Sequence, residues 1–585
     1  MIQTVVMLWP AISATGAPSS LPSLPISPTQ SVLDLSEVDG WQTEAFSAAA
    51  KSQLEKLQLL LQNPATINLS SVSQLAGRQF QCGPLQSRET VVAFHDGGIT
   101  VERGGVAGQA VQYRGPDGLV KALKHLAVPF ERASRIRASF KIFRVDLQET
   151  TATTRQYFSL SARLQGGSRE QNSVWQCKWI VDAGAELPKL LSIVVFDYEQ
   201  AQISSSTHHV FSDCTEAALG GNTSFKEQLM RGHGDWTSRV ENRLGVGIGG
   251  YYGLSLGDCN GDGLDDVYVC QPGGLPNRLY VHARDGTVTD RSAWAGVDWL
   301  DRTNSALFVD LDNDGDQDLV LGTWPGVMFM SNDGSGRFTF RGAVNQVQLP
   351  YSMACADYDN DGDLDIYACR YNPLYEESGD VPNPIPYHDA NNGAKNFLLR
   401  NDGDWQFTDV TDLVGLDVDN QRWTYAASWE DFDNDGDADL YVANDFGRNC
   451  LYRNDSGHFV NIAQGAGVED VGSGMSVSWG DPNRDGLMDI YISNMFSAAG
   501  NRITYQDQFR PDLSQTTRGQ IRRLARGNTL YINNGDETFR DASIEAGVTM
   551  GRWAWGSLFT DLNNDGWQDI VVTNGFITTE DTGDL

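Results

Sequence analysis

Residues 310–318 read DLDNDGDQD, and the same nine-residue theme returns five more times. The other copies are DCNGDGLDD (258–266), DYDNDGDLD (357–365), DFDNDGDAD (431–439), DPNRDGLMD (481–489) and DLNNDGWQD (561–569). In a tight loop of the form D-x-[DN]-x-D-G-x-x-D, positions 1, 3 and 5 can turn side-chain oxygens inward. The glycine at position 6 permits the positive φ of a sharp turn. Position 7 offers a backbone carbonyl and the aspartate at position 9 closes the shell. An all-oxygen set rich in carboxylates suits a hard cation, and calcium, with 6–8 oxygens and tolerant geometry, fits better than magnesium. The sequence therefore nominates up to six Ca²⁺ sites.

Their candidate ligands, loop by loop, are Asp258, Asn260, Asp262, Leu264 and Asp266; Asp310, Asp312, Asp314, Asp316 and Asp318; Asp357, Asp359, Asp361, Asp363 and Asp365; Asp431, Asp433, Asp435, Asp437 and Asp439; Asp481, Asn483, Asp485, Leu487 and Asp489; and Asp561, Asn563, Asp565, Trp567 and Asp569. Asn260, Asn483 and Asn563 supply an oxygen at position 3 with less charge. The fifth loop, with Pro482 and Arg484, is expected to be the weakest.

An EF-hand loop begins the same way, but here the pattern closes at position 9 and the flanks are strands. SALFV (305–309) and YAASW (425–429) precede loops; DLVLG (318–322), DIYAC (365–369), DLYVA (439–443), DIYIS (489–493) and DIVVT (569–573) follow them. These short β-branched and aromatic runs make each loop the tip of a hairpin. Phe308, Trp429, Trp479 and Phe559, two residues before a loop, are expected to face a core.

A second theme, N-x-L-Y-x-N-D-G-x-F-x-D, lies downstream at 277–290, 396–409, 449–461 and 528–541, and reads as strand, turn, strand. A tail of the type Ala-Gly-Val follows at Ala295–Val297, Ala466–Val468 and Ala546–Val548. The unit is thus about four strands in about 50 residues, the period of a β-propeller blade. Two longer intervals hold insertions: Tyr371–Lys395, rich in Pro and Tyr, and Phe496–Arg526, whose second half is expected to be a short helix carrying Arg518, Arg522, Arg523 and Arg526.

The loops also explain the charge. The chain has 585 residues with 76 Asp+Glu against 43 Lys+Arg, net −33. The six loops hold 25 of the acids and one base, leaving 51 acids against 42 bases elsewhere. Such a balance argues against a nucleic-acid or anionic-membrane partner, and no apolar run reaches the ~18–20 residues of a membrane span.

Residues 250–585 resemble the FG-GAP/VCBS repeats of integrin-α-like propellers. In detail, in the NDGD loops, the LYRND turns, MFSAAGNRITY and the final VTNGF, the chain is similar to the ASPIC/UnbV (cartilage acidic protein-like) family. That resemblance implies a calcium-bound propeller outside the cytoplasm (extracellular, cell-surface or periplasmic) acting in adhesion or recognition. Similar proteins continue past the NGF segment into a further repeat, whereas this sequence stops sixteen residues after Asp569. The expectation is that the array is cut short, or that the ring closes with a strand from 234–256.

The expected fold is mainly β, a calcium-binding propeller of six motif-bearing blades with an incomplete seventh as an alternative, preceded by a smaller α+β domain. The divisions are 1–36, a leader and Pro/Ser-rich linker; 37–235, the α+β domain; and 236–585, the propeller. The secretory-signal reading of Met1–Ala17 stands beside a tail or a mis-assigned start, since no Lys or Arg precedes Lys51. Thr43–Gln62 reads as an amphipathic helix ended by Pro64, and 137–149, 154–165, 172–183 and 189–199 as an antiparallel meander. A cystatin-like or NTF2-like shape fits that pattern.

Eight cysteines show no zinc spacing. Cys355 and Cys369 flank one loop, as a cross-hairpin disulfide or as buried thiols. His208–His209 fit a solvated pair better than ligands. Tyr371, Tyr375, Tyr387 and His388 form either a ligand surface or a loop packed on its own blade. No catalytic triad, P-loop or dinucleotide motif is present.

Three functions fit: a non-catalytic recognition or adhesion module with a protein or glycan ligand on the propeller face, a polysaccharide hydrolase or lyase, and a scaffold for assembly with 37–235 as docking unit.

Overall fold

The alternation of short β runs with Asp/Gly-rich turns produces a succession of small antiparallel sheets. The computed structural model describes residues 4–7, 42–87, 89–105, 110–181, 187–204, 211–231, 235–236, 238–240, 252–371 and 383–575. The chain divides into two compact units, one of Met1–Pro10, Asp213–Ser497 and Arg510–Glu580, the other of Ala11–Ser212, Ala498–Phe509 and Asp581–Leu585.

Among its described residues the first unit holds five four-stranded sheets, each a meander in chain order. Sheet one runs Leu254–Gly257, Asp266–Val269, Arg278–His282, Val288–Asp290; sheet two Thr303–Val309, Asp318–Thr323, Val327–Ser331, Thr339–Val344. Sheet three runs Ser352–Ala356, Asp365–Cys369, Phe397–Asn401, Phe407–Asp409; sheet four Thr424–Glu430, Asp439–Asn444, Cys450–Asn454, Phe459–Asn461; sheet five Ser476–Gly480, Asp489–Ser493, Thr529–Asn533, Phe539–Asp541. A sixth pairs Ala554–Thr560 with Asp569–Asn574, which also pairs in parallel with Thr4–Met7. Each nine-residue loop joins the first two strands of its sheet. Both insertions lie between second and third strands, of sheets three and five, so neither adds a sheet. The architecture is mainly β and propeller-like. Most of the stretch expected to close a ring, 241–251, lies outside the described residues, while Leu254–Gly257 is the first strand of sheet one.

Buried apolar clusters sit between successive sheets. One joins Tyr268 and Leu279 of sheet one to Leu319, Leu321 and Met328 of sheet two, and further clusters join each later neighbouring pair. The aromatic residues two before loops two, four, five and six meet a tyrosine of the preceding sheet edge-on. The ring centroids are 6.4 Å apart for Phe308 and Tyr268, 6.2 Å for Trp429 and Tyr367, 6.2 Å for Trp479 and Tyr441, and 6.1 Å for Phe559 and Tyr491. This T-shaped geometry sets the positive ring edge against the negative face.

The Ala-Gly-Val tails end short helical turns with a left-handed glycine (Gly296 φ 77°, Gly467 φ 77°). Their valine carbonyls accept from the same buried tyrosines: Tyr268 to Val297, Tyr441 to Val468 and Tyr491 to Val548, at 2.8–3.0 Å.

In the second unit the expected helix is α1, Gln42–Gln62, which buries Phe46, Leu54, Leu57 and Leu61. A second helix, α2 (Gly115–Ala127), buries Leu119, Leu123 and Leu126. The meander is Ser134–Leu147, Thr151–Leu164, Gly167–Ile180 and Lys189–Ile203, antiparallel throughout, within an eight-stranded sheet. Trp175 and Trp179 are fully buried on one face of it, with Phe46 edge-on to Trp179 at 6.5 Å. Ala498–Phe509, part of the second insertion, belongs to this unit. There Arg502 holds Glu44 at 2.9 Å and the Ile142 carbonyl at 2.8 Å, and Arg144 lies 3.6 Å over the Tyr505 ring.

The cross-hairpin disulfide is not formed, for a register reason. Cys355 pairs with Ile366 and Cys369 with Ser352. Cys355 joins the core shared with sheet two, and Cys369 the core shared with sheet four. Side chains on opposite sheet faces cannot bridge without moving the backbone.

Candidate metal centres

Each loop is built by hydrogen bonds from its own backbone to its own acids. The position-1 aspartate accepts from the position-6 glycine in all six, for example Gly362 to Asp357 at 2.9 Å and Gly436 to Asp431 at 3.0 Å. Position 5 accepts from the amide of position 7, as in Asp363 to Asp361 at 3.0 Å. Glycine at position 6 is left-handed, Gly362 having φ 96°. A second left-handed residue, at position 4, was not read from the sequence. It is Gly261, Asn313, Asn360, Asn434, Arg484 and Asn564 in turn, with φ between 56° and 71°. Asparagine tolerates this region better than most residues; the NDG repeats carried that signal.

The position-9 aspartates are buried and double as staples. One oxygen accepts the amide of position 2 (Leu311 to Asp318, 2.9 Å; Tyr358 to Asp365, 3.2 Å). The other accepts the amide that ends the third strand (Asn332 to Asp318, 2.9 Å; Asn454 to Asp439, 2.7 Å). Burial pushes Asp318, Asp365 and Asp489 up to about 7 and Asp439 to about 8. The asparagine at the end of the third strand then reaches the preceding loop. Asn332 donates to the Cys259 carbonyl, Asn401 to Leu311, Asn454 to Tyr358 and Asn533 to Phe432, at 2.8–3.0 Å.

Loops two, three and four bring carboxylate oxygens together: Asp310, Asp312 and Asp318; Asp357, Asp359 and Asp361; Asp431, Asp433 and Asp439, each set within 4.8 Å. Inside them Asp310 Oδ1, Asp316 Oδ1, Asp359 Oδ1 and Asp433 Oδ1 are buried and receive no hydrogen bond. Burial, then the neighbouring carboxylates, raises Asp312, Asp316, Asp359 and Asp433. Orphaned, mutually repelling oxygens of this kind fit a divalent cation. In loops one, five and six the position-3 amide is satisfied internally. Asn483 accepts from the Asp485 amide at 3.0 Å and donates to Asp485 Oδ2 at 2.9 Å, and Asn563 treats Asp565 likewise at 3.0 and 3.1 Å. Asn260 accepts from the Asp262 amide at 3.0 Å. Pro482 removes the position-2 donor of loop five, leaving Asp489 Oδ2 buried without a partner.

Neighbouring loops touch. Asn313 donates to Asp363 at 2.8 Å, Asn360 to Asp437 at 2.8 Å, and Arg484 lies 4.9 Å from the centre of the Trp567 ring. Between loops four and five, where Leu487 takes the place of such an acceptor, a cavity of about 530 Å³ opens beside Asp433, Asp435 and Glu537.

A model of the FG-GAP-like repeat matches residues 258–321, 310–368, 431–492 and 513–572. The chain carries FG-GAP-like repeats. It is 28% identical over 138 residues to cartilage acidic protein 1 of Xenopus tropicalis, covering 22% of this chain and 21% of that protein. It is 30% identical over 122 residues to the Homo sapiens protein, covering 20% and 18%. These matches support the ASPIC/UnbV-like assignment within the FG-GAP proteins, and the matched stretch spans about a fifth of these curated relatives. Among solved structures, an Agrocybe aegerita lectin described as recognising non-reducing terminal N-acetylglucosamine is 18% identical. It covers 55% of this chain and 73% of its own, with a TM-score of 0.33.

The remaining sequence candidates divide. The arginine helix is Gln515–Leu524, capped by Ser514. Arg523 and the following Arg526 dock on the FG-GAP unit's own acids, Arg523 on Asp470 and Asp541 and Arg526 on Asp541, all at 2.7 Å. Tyr371 donates to Asp445 at 2.6 Å and joins Tyr351, Trp423 and Tyr425 in an aromatic cluster. Tyr387 is exposed beside Phe446, and His388 is half-buried. His208, His209 and Tyr375 lie outside the described residues. Asp445, Tyr351 and Tyr425 had no sequence signal beyond the aromatic run WTY.

Proposed function

We propose that the chain is an extracytoplasmic calcium-binding recognition module. Its calcium is structural in the hairpin loops, and a protein or glycan ligand binds on the propeller-like face. In this reading 37–235 is an accessory α+β domain, 236–585 is the propeller, and the acids at positions 1, 3, 5 and 9, with the position-7 carbonyl, hold the ion. The observation that carries the proposal is the set of buried, unpartnered carboxylate oxygens in loops two to four. Neutralising clustered carboxylates by Ca²⁺ removes repulsion that the fold alone leaves in place. The repeats resemble a family of adhesion-type modules, and among the described residues no helix is long and apolar enough to cross a membrane. Thermal melting tests the calcium role: EDTA should lower the melting temperature and excess Ca²⁺ restore it. An unchanged melting temperature would sink the reading.

A further inference from the structure

Away from the loops, at the outer strand of sheet one, lies a groove of about 410 Å³ lined by Asn222, Thr223, Ser224, Arg278, Arg291 and Trp294 among others. Its walls are fixed. Asn222 donates to the Val288 carbonyl and accepts from the Asp290 amide, both at 2.8 Å. Arg278 is held by Gln228 and Asp290, so Asp290, an acid in the groove, is already neutralised by an ion pair at 3.2 Å.

Two further cations sit beside it. Arg291 and Arg337 are exposed, and neither is within salt-bridge distance of a described carboxylate, although the charge of Arg337 acts on nearby Asp333; both guanidiniums lie over the Trp294 ring, at 5.8 and 5.1 Å from its centroid. Trp294 itself is 44% exposed. In a chain of net charge −33, two exposed guanidiniums beside a solvent-facing indole are a local inversion of the surface chemistry. An indole offers an apolar plane, and a guanidinium held over a ring keeps its N–H edge directed at solvent, preorganised for a carboxylate.

We propose that this groove binds an acidic sugar residue, a uronate, with the pyranose against Trp294 and its carboxylate on Arg291 and Arg337. A neutral sugar would make no use of the two guanidiniums. An acidic peptide would make little use of the indole or of the hydroxyl-bearing wall at Thr223 and Ser224. The inference deepens the recognition reading and rests on it.

The test is calorimetric titration of the full, calcium-saturated chain with hexagalacturonate, with maltohexaose as the neutral sugar and hexaglutamate as the acidic peptide. Hexagalacturonate should bind at least about tenfold more tightly than either. R291Q and W294A should each weaken it about tenfold without moving the melting temperature. Should W294A fold poorly, R291Q and R337Q, both at exposed positions, carry the comparison. The proposal is overturned if hexagalacturonate does not bind, if hexaglutamate binds equally well, or if R291Q binds like the parent. Loss of the calcium effect on melting with uronate binding intact would count against the calcium reading alone.

Discussion

The side-chain amide of Asn360 donates a 2.8 Å hydrogen bond to Oδ1 of Asp437, 77 residues further along the chain. Asn313 makes the same bond to Asp363, and at the corresponding place Arg484 meets Trp567. Position 4 of one loop thus contacts position 7 of the next, linking loops two, three and four in one group and loops five and six in another.

Two roles coincide at Asn360: it makes this bridge, and it occupies the left-handed region at φ 58°. N360G removes the bridge, an exposed hydrogen bond whose loss costs about 1 kcal/mol, and loosens the unfolded chain by about 0.5 kcal/mol. N360A removes the bridge and adds about 1 kcal/mol of left-handed strain. Urea unfolding at saturating Ca²⁺ should rank the parent above N360G and N360G above N360A. Equal losses in the two variants would show that the backbone conformation carries no cost.

Loop five contains a defect that substitution should repair. Elsewhere a position-2 amide donates to the buried position-9 carboxylate, but Pro482 has no N–H and Asp489 Oδ2 is left unpaired. P482L supplies the donor, worth about 2 kcal/mol to a charged acceptor, and gives up about 1 kcal/mol of proline stiffening in the unfolded chain. A net gain near 1 kcal/mol is expected in the urea midpoint. A destabilised P482L would mean that loop five needs the ring for its shape.

Asp445 gives a pH signature of its own. It is buried, and burial raises its carboxyl to about 6 despite the hydrogen bond from Tyr371. A folded-state value above the unfolded one means the native state holds the proton more tightly. Stability from this group is therefore present below pH 4 and is lost as the pH rises through about 6. At 1.36 kcal/mol per pH unit the loss approaches about 3 kcal/mol. D445N cannot ionise, so its stability relative to the parent should rise between pH 4 and pH 7; parallel curves would refute the assignment.

The residues that repeat were the ones that could be read. The nine-residue loops, the hairpins they close and α1 follow from local spacing, because glycine at position 6 and alternating apolar residues act within a few positions. The asparagines of the second theme were visible as a pattern, yet their purpose was not. Asn454, like Asn332, Asn401 and Asn533, reaches a carbonyl of the preceding loop, here that of Tyr358, 96 residues away, and only the packed array makes such a partner available. The same applies to Asp445 and its aromatic neighbours, which come from separate sheets. The register that separates Cys355 from Cys369 depends on which strand residues pair, and symmetric placement about a loop does not reveal it.

Position 3 divides the six loops into two classes, and calcium should report that division. Loops two, three and four carry Asp312, Asp359 and Asp433 there, with buried oxygens unpartnered in or beside each set. Loops one, five and six carry asparagines already bonded to Asp262, Asp485 and Asp565. A cation entering the second class meets one fewer ligand carboxylate at position 3, lacks the aspartate that loops two to four also carry at position 7, and must displace internal hydrogen bonds. One unit charge at about 4 Å is worth at least about 1 kcal/mol even in water, and more where burial lowers the dielectric. Each asparagine loop should therefore bind Ca²⁺ roughly tenfold or more weakly than an aspartate loop. Calorimetric titration of the calcium-free chain should resolve about three tight sites followed by weaker ones. D359N should delete one tight site, and N563D should add one. Six equivalent sites, or a D359N variant with unchanged stoichiometry, would show that position 3 does not set affinity and that the position-9 carboxylates dominate instead.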